Sequence, residues 1–423
     1  MSGLTVAFAG LTHLGIVSAA AAAEHCDRVI GYDADAGRVA DLAAGRLPIE
    51  EPGLADLVAK GGNRLTWTSD VGALRSADLV YVSIDVPTDA KGVSDLRSVE
   101  AIVERVMPAL SEDAVLIVLC QVPPGFTRRI PRPAATRYYQ VETLIFGRAV
   151  ERARQPERFI VGAADPSRPL PSSYHRFLSS FGCPILPMRY ESAELAKTAI
   201  NIFLAAQVTA TNTLAELCEV TGADWNEIVP SLRLDARIGR YAYLAPGLGL
   251  SGGNIERDIV TLTRIAAERG TDGGLLEAFA ANADYRKDWV LRALHHKVMD
   301  KSPNPVVALW GLAYKIGTHS TRNAPSVALL SALPTVRFRA CDPVAELPSG
   351  GFPNLERFDD PIETVRGAAA LVVLTPWPEY RDANPGAIAR AMAGRVILDP
   401  FRHLDHAALV RSGLRPSALG VSQ

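Results

Sequence analysis

Leu4-Thr5-Val6-Ala7-Phe8-Ala9-Gly10-Leu11-Thr12-His13-Leu14-Gly15 is the stretch that decides the fold. Its first six residues make a short, mostly apolar strand, and Gly10 to Gly15 make a turn that opens a helix. Ile16–Glu24 is Ala-rich and helical, and Arg28–Tyr32 is a second strand ending at Asp33. A strand, a glycine turn, a helix and an acid about 20 residues further on form a dinucleotide fingerprint. Such a turn offers backbone N–H groups to a pyrophosphate at a helix N-terminus. A carboxylate at Asp33 accepts from a ribose diol and repels a 2′-phosphate, which favours NAD over NADP. The second glycine of the pattern is Thr12. Its side chain crowds the pyrophosphate approach, although its hydroxyl can donate to it. Taken alone, the motif leaves an ordinary βαβ turn without cofactor open.

Outward from this unit the pattern repeats. Leu79–Ile84 and Ala114–Leu119 are apolar runs that read as further strands, and strands alternating with helices predict a parallel α/β sheet. From Ser192 to Val220 a long helical stretch without Pro or Gly reads as a spine, stopped by Thr221-Gly222. Helical sequence then continues to Asp300, broken by the glycine-rich loop Gly247–Gly253. After a Pro-flanked linker at Lys301–Asn304 the α/β pattern restarts. Val306–Leu309, Val336–Ala340, Ala370–Leu374 and Arg395–Leu398 read as strands, and Ser326–Leu333 as a helix.

Composition narrows the function class. The 423 residues are 48% hydrophobic and 21% charged, with Lys+Arg 44 against Asp+Glu 46. Sizeable cores are expected in two or three domains. A net charge of −2 argues against nucleic-acid or anionic-membrane partners. No apolar run reaches the roughly 18 residues of a membrane helix. The apolar start lacks a basic leader, so no signal peptide is expected. Five scattered cysteines without a CxxC pair predict a reduced, cytoplasmic protein with no disulfide framework and no metal site.

Further segments resemble one family in order along nearly the whole chain. Pro48-Ile49-Glu50-Glu51-Pro52-Gly53-Leu54 resembles the P-I-x-E-P-G-L loop of nucleotide-sugar 6-dehydrogenases, the UDP-glucose and GDP-mannose dehydrogenase family. Val122-Pro123-Pro124-Gly125-Phe126-Thr127 resembles its V-P-x-G-T-T turn, and Ala193-Glu194-Leu195-Ala196-Lys197-Thr198-Ala199-Ile200-Asn201 its A-E-x-x-K-x-x-x-N helix. Arg237-Ile238-Gly239, Gly249–Asp258, Gly311-Leu312-Ala313-Tyr314-Lys315, Thr321-Arg322, Asp342-Pro343 and Thr375-Pro376-Trp377 continue the series. The resemblance implies two Rossmann-like parallel-sheet domains joined by a long central helix and a helical domain. The expected layout is an NAD-binding domain over 1–188, a helical dimerisation domain over 189–300 and a nucleotide-sugar-binding domain over 301–423. It also implies a homodimer.

The resemblance assigns residues one by one. Cofactor contacts fall on Gly10, Thr12, His13, Leu14, Gly15, Asp33, Pro87, Thr88, Gln121 and Arg322. Substrate contacts fall on Glu142, Thr143, Leu144, Lys197, Asn201, Arg237, Gly249, Gly252, Gly253 and Lys315. Lys197, Asn201 and Asp258 align with groups that hold the reacting hydroxyl and a water. Arginine forks at Arg237 and Arg322 suit phosphate oxygens.

The departures are chemical. Family members capture an aldehyde on a cysteine in G-G-S-C-x-P-K-D and hydrolyse the resulting thioester. Here the cysteine position is Asn254, whose amide is not a usable nucleophile. The neighbouring lysine is Arg257, still cationic but not a proton shuttle. A family threonine aligns with Gln121. Of two family carboxylates, Glu142 keeps the first and Phe146 replaces the second. Glu142 is either a proton-relay group or structural, and Asn254 either donates to the substrate oxygen or fills space. What survives suits one hydride transfer from a nucleotide sugar with a secondary alcohol near C6, as in the octoses of lincosamide-type antibiotics. The alternatives are a four-electron dehydrogenase using water or Cys120 in place of the thiol, and a catalytically silent nucleotide-sugar-binding subunit.

Overall fold

The structure is a computed structural model and describes residues 3–87, 89, 94–250, 253–302, 304–345, 347 and 351–422. The chain forms two compact units, Met1–Ile200 and Asn201–Gln423.

The first unit is built on eight strands: β1 (Thr5–Ala9), β2 (Arg28–Tyr32), β3 (Leu65–Thr68), β4 (Leu79–Val82), β5 (Val115–Val118), β6 (Arg137–Gln140), β7 (Phe159–Ala163) and β8 (Ile185–Arg189). Their order is β3-β2-β1-β4-β5-β6-β7-β8. Leu-Val-Tyr-Val of β4 and Val-Leu-Ile-Val of β5 are buried throughout, as strands covered on both faces require. One face packs Phe8, Tyr81, Tyr174 and Phe177 against Leu14 and Ala22 of helix α1 (His13–Ala22). The other packs Val82, Val118 and Tyr139 against Val99 and Val103 of the helix Arg97–Val106, and against Tyr190 and Ala193.

The sheet is parallel with one exception: β6 and β7 pair antiparallel. The chain turns back after β6 through a segment whose only helix is Ala149–Arg154, too little for a full crossover. Helix α1 begins at His13, three residues before the helical stretch read from the sequence. The turn and the first helical turn overlap there. Gly10 adopts φ +100°, and a Cβ on Gly15 would lie 1.8 Å from the Gly10 carbonyl oxygen. Only glycine lets the helix settle this close to the strand end.

Helix α2 (Tyr190–Thr221) has 32 residues, and the boundary between the two units falls within it.

The second unit continues with the helices Trp225–Leu234, α3 (Asn254–Arg269), α4 (Gly274–Lys287) and Trp289–Lys297. Its sheet contains β9 (Val306–Trp310), β10 (Arg337–Cys341), β11 (Leu355–Arg357), β12 (Ala370–Val373), β13 (Val396–Leu398) and β14 (Arg415–Ser417), all parallel, in the order β11-β10-β9-β12-β13-β14. Trp310, Phe338, Leu371 and Ile397 anchor its core, on which Trp289 and Leu294 also pack. Among the described residues no helix is long and apolar enough to cross a membrane.

Candidate active site

In an open α/β sheet, ligands bind beyond the strand C-termini where the strand order reverses. In the first unit that point lies between β1 and β4. The Gly10–Gly15 turn closes one side of it. Ser83, fully buried at the end of β4, closes the other by donating to the carbonyls of Ala9 and Gly10 at 3.2 Å each.

Asp33 ends β2, and one carboxylate oxygen accepts the Leu11 N–H of the turn at 2.8 Å. The other accepts the Asp35 N–H at 2.9 Å. Arg38 donates to Asp33 at 2.9 Å. Sequence reasoning missed Arg38, which stands five residues beyond the acid. A dinucleotide fits the ribose end: a buried carboxylate is fixed beside a glycine turn and keeps lone pairs for a diol. At the pyrophosphate end, Thr12 is the N-cap residue of α1, and its hydroxyl accepts the Asp85 N–H at 2.9 Å. The Asp85 carboxylate in turn accepts the Leu14 N–H at 3.4 Å. Asp85 too was unread in the sequence.

His13 does not point into solvent. Its Nε2 meets Glu51 at 2.9 Å, and Glu51 also accepts the Gly147 and Ala149 N–H groups. The Glu51 side chain is 1% exposed, so this acid of the Pro-Ile-Glu-Glu-Pro-Gly-Leu loop staples the 140s segment to the start of α1. Phe146 lies against the His13 ring with centroids 4.3 Å apart.

Glu142 follows β6, and its carboxylate meets the Lys197 ammonium at 2.6 Å. Lys197 also donates to the Glu142 carbonyl at 3.1 Å, and Glu142 accepts the Leu144 N–H at 2.9 Å. The two side chains are 13% and 18% exposed, so the pair is largely withdrawn from water. Glu194, one turn earlier on α2, is fully buried and accepts the N–H groups of Gly125 and Thr127. Burial pushes its carboxyl above the usual range. The carbonyl of Thr143 accepts from Arg152 at 3.4 Å. Gln121 is half-buried, and the Pro87 carbonyl accepts the Asp95 N–H. Thr88 lies outside the described residues.

In the second unit Asn201 donates to Asp258 at 2.5 Å, and Arg257 meets the other Asp258 oxygen at 3.1 Å. Asp258 is 1% exposed, so a buried carboxylate is held between an amide and a guanidinium. Asn254 is the first residue of α3. Two residues on, Glu256 accepts from Lys287 of α4 and from Asn323. The family lysine position, Arg257, is thus committed to Asp258. Gly249 approaches the Ala283 carbonyl closely, since a Cβ would lie 2.3 Å from its oxygen. Gly253 lies beside Arg322, and the Lys315 ammonium stands 5.6 Å from the Tyr314 ring centre. Arg237 pairs with Asp235 at 2.6 Å and is 89% exposed. Gly252 lies outside the described residues.

The second sheet repeats the device of the first. Asp342, at the end of β10, accepts the N–H groups of Leu312 and Ala313 in the turn after β9, and that of the Trp377 indole. Burial pushes its carboxyl up, but these donors outweigh it and leave it below the usual range. Cys120 is fully buried and its thiol donates to the Val82 carbonyl at 3.2 Å. Burial pushes that thiol up to about 12.

Three models of the UDP-glucose/GDP-mannose dehydrogenase family match the chain: the NAD binding domain over residues 4–170, the central domain over 191–284 and the UDP binding domain over 308–406. The UDP-glucose 6-dehydrogenase of Pseudomonas aeruginosa is 32% identical over 416 residues, covering 92% of this chain and 91% of that protein. UDP-glucose 6-dehydrogenase TuaD of Bacillus subtilis is 29% identical over 410 residues, covering 93% and 88%. In fold, the chain is similar to a UDP-glucose dehydrogenase from Pyrobaculum islandicum, with TM-score 0.85 and 24% identity over 100% of this chain and 98% of that one.

Proposed function

We propose a single two-electron oxidation for this chain, which belongs to the UDP-glucose/GDP-mannose dehydrogenase family and is an NAD-dependent oxidoreductase of nucleotide sugars. The substrate is a nucleotide-activated sugar with a secondary alcohol near C6, and the product is the ketone. The carbinol carbon gives its hydride to oxidised NAD, the hydroxyl gives up its proton, and the products are the ketone, NADH and that proton. The observation that carries this reading is Asn254 where the family's nucleophile stands, in a chain that keeps the Lys197–Glu142 and Asn201–Asp258 pairs.

Bound NAD supplies the hydride acceptor. Asp33 would hold the adenosine ribose, and the N–H groups at the start of α1 would receive the pyrophosphate. Lys197 and Asn201 lie four residues apart on α2 and so share one side of that helix. The Lys197 ammonium stabilises the alkoxide as the hydroxyl proton leaves. Glu142 keeps that ammonium oriented and accepts the proton directly or through a water. Asp258 accepts from the Asn201 amide nitrogen and so fixes that side chain, whose oxygen can act only as an acceptor. A ketone has no hydride left to give, so no covalent capture is needed. The four-electron alternative needs a nucleophile, and Cys120 is a poor one because a thiol raised to about 12 is not ionised near neutrality.

Assembly is part of the proposal. Phe203, Leu217 and Val220 of α2, with Leu234 and Leu275, are 52–87% exposed. So much apolar surface on the central helices suits a second copy of the chain. The reading is tested by incubation with NAD and a panel of UDP- and GDP-sugars, with mass analysis of the products. A product two hydrogens lighter supports it, and a uronic acid removes it.

A further inference from the structure

We infer that Asp85 governs dinucleotide affinity by holding a carboxylate where the cofactor's pyrophosphate must come. The inference rests on the NAD assignment.

The first-turn N–H groups of a helix have no partner within the helix. In α1 the N-cap Thr12 makes no side-chain cap, and no acidic residue lies in the first turn. The group supplied there comes from the loop after β4. Asp85, in the loop leaving β4, reaches the Leu14 N–H at 3.4 Å. The same residue's N–H is fixed on the Thr12 hydroxyl at 2.9 Å. Thr12 therefore does more than occupy a glycine position. Its hydroxyl anchors the loop, and the loop presents a carboxylate to the helix N-terminus. This is the switch point between β1 and β4, the place where a dinucleotide's phosphates meet that terminus.

The bond at 3.4 Å is long and Asp85 is exposed, so the carboxylate can be displaced. It remains anchored through its own backbone, however, and stays within a few ångströms of any pyrophosphate. Two unit charges about 5 Å apart repel by a factor of roughly 4 in affinity at the dielectric of water, and by more where protein replaces solvent. Screening at ordinary ionic strength keeps the effect near the lower end. Removing the charge is expected to tighten NAD about fourfold to tenfold.

The test is direct binding to the full chain by isothermal titration, with Asp85→Asn against the unmodified protein. The asparagine keeps the size and the backbone N–H, and a matched melting temperature excludes misfolding. NAD and ADP-ribose should each bind about fourfold to tenfold more tightly to the variant, with a gain that shrinks as salt rises. Adenosine, which has no phosphate, should bind both forms alike. Thr12→Val, which removes the hydroxyl that anchors the loop, should give a smaller gain of the same sign. Unchanged or weaker NAD binding in Asp85→Asn would overturn the inference, as would an equal gain for adenosine. If neither form bound NAD, the cofactor assignment would fall, and the inference with it.

Discussion

Replacing Lys197 by alanine removes the cation that the structure sets against Glu142, at 2.6 Å. Attraction between unit charges at that distance is roughly 1.6 kcal/mol at the dielectric of water and roughly 6 kcal/mol at an effective dielectric of 20. With side-chain exposures of 13% and 18%, the pair lies between those limits. Loss of a positioned cation that stabilises the developing alkoxide costs about 10²–10³-fold in rate, so kcat should fall by that range while NAD affinity holds. The cycle with Glu142→Gln separates a working pair from two independent charges. Once the lysine is gone, the glutamine change should cost at least about 1.5 kcal/mol less than it does alone. Lys197→Arg should not restore the rate, because a planar fork does not reproduce the geometry of a compact ammonium. The assay is NADH absorbance under single-turnover conditions, with NAD binding measured separately. A Lys197→Ala rate within about threefold of the unmodified enzyme, or strict additivity in the cycle, would refute the reasoning.

Other outcomes follow from the same geometry. NAD should bind at least about tenfold more tightly than NADP, because in the proposed site the Asp33 carboxylate would repel a 2′-phosphate; Asp33→Asn should narrow that gap, as a paired titration of both cofactors would read. Cys120→Ser should retain activity within about threefold, and iodoacetamide at about pH 7.5 should leave Cys120 unlabelled by mass spectrometry, since burial pushes its thiol up to about 12. Glu24 is held down to about 2 from an ordinary 4.5, first by its hydrogen bond to Arg154 and, against the cost of burial, also by Lys60. Its stabilisation is therefore present above pH 4.5 and lost as pH falls towards 2. Glu24→Gln should cost about 1 kcal/mol at neutral pH and flatten that acid limb in urea titrations.

The dinucleotide turn was legible because its demands are local: a strand end, a tight turn and a close helix each fix a residue type at a fixed spacing. The strands β1, β2, β4, β5, β9, β10, β12 and β13 were legible from their apolar residues between polar loops. β8, Ile-Leu-Pro-Met-Arg, escaped because it lies at the sheet edge, half-exposed and interrupted by Pro187. β6, Arg-Tyr-Tyr-Gln, is fully buried yet mostly polar, because Arg137 and Gln140 bond to buried tyrosines. Arg38 and Asp85 escaped for a different reason. Arg38 is only five residues from Asp33, but no periodicity marks a side-chain pair across a strand-to-helix turn, and Asp85 meets Thr12 and Leu14 from far along the chain, where no local spacing carries the information. Asn254 was the reverse case: its meaning came from what a matched motif lacks.

The stoichiometry of reduction tests the central claim most directly. With the natural nucleotide sugar and excess NAD, one NADH should form per sugar consumed. The product should be lighter by two hydrogens and should react with hydroxylamine as a ketone does. Asn254→Cys should not by itself produce acid efficiently, since by the family resemblance Gln121 and Phe146 replace a threonine and a carboxylate tied to the later attack of water. Two NADH per sugar with a carboxylate product from the unmodified enzyme would contradict the account.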